Sequence, residues 1–170
     1  MGISDFWTTD RRTLLRAAGA LSLVPSPLRA GLEPSADLWQ ALAETVLDCD
    51  ASDLVQAHGE SQGLQPHQLA QRLHGFILRE PQALRDLFFA GLAALRFSPL
   101  LSGYPAVFES LPLPQRRAVY RSWLSSALPP VQSLAMALRS AALFLWFSDP
   151  GSWAAIGYTG PWVPREGLKP

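Results

Sequence analysis

Pro129-Pro130-Val131-Gln132-Ser133-Leu134-Ala135-Met136-Ala137-Leu138-Arg139-Ser140-Ala141-Ala142-Leu143-Phe144-Leu145-Trp146-Phe147 is the stretch whose reading decides the fold. Two prolines suit the first turn of a helix, where the missing N–H has no intrahelical acceptor. Behind them runs the most apolar helix of the chain, ending near Phe147. Gln132 and Arg139 interrupt it, and it falls short of the roughly 20 uninterrupted apolar residues of a membrane span. The expectation is therefore a core helix of a bundle.

The same helical period extends on both sides. Ser35 is placed to cap a helix that carries Leu38, Leu42, Val46 and Leu47 at three-to-four spacing, with Asp37 near its positive end. Ala51 to His58 reads as a short second helix, stopped by Gly59. Pro66 opens a helix to Arg79 with Leu69, Leu73, Phe76 and Ile77 on one face, and Pro81 opens another through Leu84, Leu87, Phe88, Leu92 and Leu95. A loop is expected from Ser98 to about Pro105, then a helical turn from Val107 to Leu111. Pro114 opens Gln115 to Ser126, with Val119, Tyr120, Trp123 and Leu124 as its buried stripe. Ser148-Asp149-Pro150 ends the apolar helix and caps a short turn from Ser152 to Ile156. No stretch alternates with period two. The reading is all-α: a single compact bundle of about five to seven helices.

The segment before the bundle has a different character. Thr9-Asp10-Arg11-Arg12-Thr13-Leu14-Leu15-Arg16 leads into the small, apolar run Ala17-Ala18-Gly19-Ala20-Leu21-Ser22-Leu23-Val24. Paired arginines, a spacer and two leucines match a twin-arginine export signal, with Arg11, Arg12, Leu14 and Leu15 as the residues read by the translocase. The expected organisation is a signal over residues 1–30, cleaved after Ala30, a helical domain over 31–156 and an extended arm over 157–170. The destination is the periplasm or the outer face of the cytoplasmic membrane.

Composition narrows the function classes. The 170 residues carry a formal net charge of zero, which argues against the clustered basic face that nucleic acid requires. Apolar residues make up 48% and charged ones 16%, with six tryptophans. That much aromatic surface exceeds what a small interior holds, so part of it is expected against a partner. The single cysteine, Cys49, has no mate for an intramolecular disulfide.

Candidate chemistry is sparse. His58, His67 and His74 are the histidines, and His67 and His74 stand two turns apart on one helix, about 10 Å along its axis, too far for one small ion. Cys49 lies between Asp48 and Asp50, whose charge raises a thiol pKa. Glu44 and Asp48 share a helix face and read as solvated acids. There is no glycine-rich nucleotide loop and no covalent-haem motif. No catalytic, cofactor-binding or metal residue is therefore assigned. The densest motif is aromatic: Trp146, Phe147, Trp153, Ile156, Tyr158 and Trp162, interleaved with Gly157, Gly160 and Pro161. Such a segment suits an arm laid into a partner's apolar groove; the alternative is an arm folded back over its own bundle.

An apolar helix leading into Phe147-Ser148-Asp149-Pro150, then Trp153, Ile156-Gly157-Tyr158 and Gly160-Pro161, is similar to a helical segment of flavin-dependent long-chain alcohol oxidases and related glucose-methanol-choline dehydrogenases. Leu113-Pro114-x-x-Arg117, Trp123 and Leu128-Pro129 fit the same segment. Together with the signal, the chain resembles the small, gamma-type subunit of gluconate dehydrogenase and similar three-subunit flavin enzymes. The resemblance covers the signal and roughly Leu84 to Trp162. It implies a non-catalytic accessory subunit that escorts and stabilises a large FAD-bearing dehydrogenase, with a cytochrome c subunit as a further partner. The FAD would belong to that partner. The competing expectation is a free-standing exported helical protein, either an envelope binding protein or a small metal-binding enzyme.

Overall fold

A computed structural model of the chain describes residues 33–50, 63–153 and 156–160. The expected signal residues Arg11, Arg12, Leu14 and Leu15, the cleavage point after Ala30, the short helix Ala51 to His58 and Trp162 lie outside the described residues.

Within them the fold is all-α. Its helices are α1 (Ala36–Asp50), α2 (Pro66–Leu78), α3 (Gln82–Leu101), α4 (Leu113–Leu124), α5 (Pro129–Phe147) and the single turn α6 (Pro150–Trp153), with a 3-10 turn at Phe108–Ser110 before α4. Local signals explain most of the starts. The Ser35 hydroxyl accepts the Leu38 N–H at 3.3 Å at the head of α1. Pro66 stands in the first turn of α2, where the Gln68 side chain reaches back to accept the Gln65 N–H at 3.1 Å. Pro129 and Pro130 open α5 as their fixed φ requires.

The bundle is built around α1. Leu38, Trp39, Ala41, Leu42, Ala43, Thr45 and Val46 are all buried, so the buried surface wraps more than one stripe of the helix. Its neighbours are α2, the 3-10 turn, α4 and α5. A helix apolar around most of its girth belongs in the centre. On α2 the buried face is Leu69, Ala70, Leu73 and Ile77; on α5 it is Leu134, Ala135, Leu138, Ala142 and Trp146. Among the described residues, α5 is the one helix long and apolar enough to cross a membrane by length and composition. It packs against α1, α2, α3 and α4.

The region around Ser98 departs from expectation. The helix does not yield to a loop there; α3 runs on to Leu101 with Pro99 inside it. A proline at this position leaves the carbonyl four residues earlier, that of Leu95, without its helical donor. The Ser98 hydroxyl donates to that carbonyl at 3.0 Å, and itself accepts the Trp123 indole N–H at 3.1 Å. Pro99 is also buried against the core. Side-chain repair and burial together keep the turn helical, and the loop begins only at Ser102.

Candidate partner interface

The C-terminal end of α5 is where the aromatic motif is assembled. Trp146 is 2% exposed and belongs to this chain's own core, with Phe147 edge-on to it at 4.9 Å between ring centroids. Ser148 and Asp149 then end the helix. The Asp149 carboxylate accepts the Gly151 N–H at 2.9 Å, which starts α6, and its other oxygen pairs with Arg72 of α2 at 3.0 Å. Ser152 is buried and donates to the Trp146 carbonyl at 2.6 Å. This corner is therefore fastened to the bundle by hydrogen bonds from both directions.

Beyond it the chain turns outward. The Trp153 indole N–H donates to the Phe147 carbonyl at 2.9 Å, and its ring meets Tyr158 edge-on at 5.1 Å. The Tyr158 N–H donates to the Trp153 carbonyl at 2.9 Å. That tight return needs Gly157 and Gly160, whose φ angles of 66° and 112° suit a residue without a side chain. The Trp153 ring also lies against Gly160. Ile156 and Tyr158 remain about two-fifths exposed, and Phe144 on α5 is 63% exposed. Trp146 is thus fixed inside, Phe147 and Trp153 are half-buried, and Ile156 and Tyr158 face outward.

A second arrangement was not anticipated. Glu44, Asp48 and Asp50 on α1 are not a solvated stripe, because arginines from two later helices reach them. Arg116 of α4 donates to Glu44 at 2.8 Å and to the Ala41 carbonyl at 3.2 Å, Arg117 of α4 pairs with Asp48, and Arg139 of α5 donates from Nε to Asp50 at 3.0 Å. Arg116 is only 9% exposed. It shares a face with Val119, Tyr120 and Trp123 through three-, four- and seven-residue spacing, a signal that was present in the sequence. Burial works against the Glu44 carboxylate, but hydrogen bonds from Gln40 and Arg116 and the Arg116 charge outweigh it and hold its pKa below the ordinary value. The hydrogen bond to Asp50 raises the pKa of Arg139 despite partial burial.

Cys49 lies half-buried at the end of α1 among these charges. Burial pushes its thiol pKa up first of all; Arg121 and Arg117 pull against this while Asp50 and Asp48 add to it. Tyr120 is buried and its hydroxyl has no hydrogen-bond partner among the described residues. Its pKa is raised, chiefly by burial. Burial thus favours the protonated form of both groups, and the two carboxylates beside Cys49 add to it there.

The two described histidines, His67 and His74, have different surroundings. His67 is exposed, whereas His74 stacks on Trp39 at 5.3 Å and leans towards Phe89 at 6.5 Å; His58 lies outside the described residues. Among the described residues no set of three His, Cys, Asp or Glu side chains converges as a metal site.

Comparison with protein-family models, curated proteins and solved structures finds no match.

Proposed function

We propose that this chain is a non-catalytic accessory subunit that escorts a large, FAD-bearing dehydrogenase of the glucose-methanol-choline type through twin-arginine export and stabilises it afterwards. The observation that carries this reading is the outward-facing apolar corner after α5. Phe144, Ile156 and Tyr158 stay out of the core on a segment otherwise tightly fastened to it. Exposed aromatic and aliphatic anchors on a rigid base are what a partner groove selects. The signal at Arg11-Arg12 supports the export half of the role. The large subunit would supply the FAD and oxidise an alcohol, sugar or sugar acid, passing electrons to a cytochrome c subunit.

The test is affinity capture of the tagged chain from its native host, with a visible absorbance spectrum of the eluate. A larger co-purifying chain with flavin bands is the expected result. A solitary, colourless chain would end the accessory-subunit reading in favour of a free-standing exported protein.

A further inference from the structure

Among the described residues, one ion pair ties the corner after α5 to another helix: Arg72 of α2 with Asp149. The hydrogen bonds of the corner are local instead. The Ser152 hydroxyl donates to the Trp146 carbonyl, the Trp153 indole to the Phe147 carbonyl and the Tyr158 N–H to the Trp153 carbonyl. None of them spans more than six residues. Bonds of that kind fix the shape of the corner but not the direction in which it points. A helix end held only by its own last turn frays, and a tie from a different helix supplies the direction.

We propose that Arg72 is a positioning residue for docking: its pair with Asp149 sets the direction in which Ile156 and Tyr158 are presented to the flavin-bearing subunit. The inference rests on the accessory-subunit reading. One carboxylate serves two purposes here. Oδ1 of Asp149 accepts the Gly151 N–H at 2.9 Å and so starts α6, while Oδ2 meets Nη2 of Arg72 at 3.0 Å. The first is turn chemistry that asparagine performs as well; the second draws on the charge. Contacts then run outward from α6. The Trp153 ring meets Tyr158 edge-on at 5.1 Å and lies against Gly160.

Energetics separate positioning from folding. Arg72 is half-exposed, and an ion pair in water contributes little to stability. The root of the corner stays anchored by Trp146, which is buried in the core. Loss of Arg72 therefore leaves the bundle folded and frees the outward residues to take up several directions. The cost of ordering them again falls on the docking step.

The experiment captures the signal-less flavin subunit of the same host with the full chain as wild type, Arg72→Ala, Asp149→Asn and the double variant. All four should share the wild-type helical circular dichroism and melting temperature. Captured flavin absorbance should fall about three- to tenfold for each single variant. The double variant should fall no further, because either change breaks the same pair. Arg72→Lys keeps a charge for Oδ2 and should recover most of the loss. In the isolated chain, the near-ultraviolet circular dichroism to which Trp153 and Tyr158 contribute should weaken in Arg72→Ala and return in Arg72→Lys. Undiminished capture by Arg72→Ala, or losses that add in the double variant, overturns the positioning role and leaves the accessory-subunit reading intact. A drop in melting temperature large enough to account for the lost capture makes Arg72 a stabilising residue only, which also overturns it. A wild type that captures no flavin chain overturns both.

Discussion

Arg116 joins α4 to α1 through two acceptors at once, the Glu44 carboxylate at 2.8 Å and the Ala41 carbonyl at 3.2 Å. Replacing Arg116 with alanine removes both donors from a buried position. Glu44 retains some contact with water, so the expected cost is about 1–3 kcal/mol, read from urea unfolding. Arg116→Met keeps the apolar stem and should recover part of that loss. Acid should find the same pair. The pKa of Glu44 is lower folded than its ordinary 4.5, so its contribution is present above the unfolded pKa and disappears as pH falls through the folded one. Stability followed on acidification below about pH 4.5 should therefore drop less in Glu44→Gln than in the wild type. The acids themselves were visible in the sequence, but their pairing was not. Arg116 stands 72 residues from Glu44, and Arg139 stands 89 from Asp50. Spacing along one helix carries no information about a charge arriving from another.

At the scale of elements, α3 and α5 approach each other at Gly91. A methyl group there would overlap the Leu134 side chain, which is itself buried. Gly91→Ala is expected to destabilise the protein by about 1–3 kcal/mol through overpacking. Combining it with Leu134→Ala should cost less than the sum of the two single changes, since the shortened residue makes room. Thermal melts of the four proteins measure that coupling. Most helix starts were legible because their causes are local, as at Ser35, Pro66 and Pro129. Gly91 was not, because its reason lies on another helix. Pro99 misled for a related cause: the repair of the Leu95 carbonyl by Ser98 is held by Trp123, from α4. Of the residues through which α3 was expected to run, Phe88, Leu92 and Leu95 are buried, whereas Leu84 and Leu87 are only partly so.

For the whole molecule, the accessory role predicts shared fate. Changing Arg11 and Arg12 to lysines should leave both this protein and its flavin partner in the cytoplasm, as measured by cell fractionation. Continued export of the partner would end the escort role. The placement of α1 adds a consequence for the timing of synthesis. The first described helix is the one at the centre, and the walls that enclose it include α4 and α5, near the other end of the chain. With 89 residues between Asp50 and its partner Arg139, and elongation at about 5–20 residues per second, α1 waits on the order of 5–20 s after leaving the ribosome before its enclosure can close. During that interval its apolar surface is open to chaperones. Closure of this bundle around α1 thus waits on the synthesis of α5.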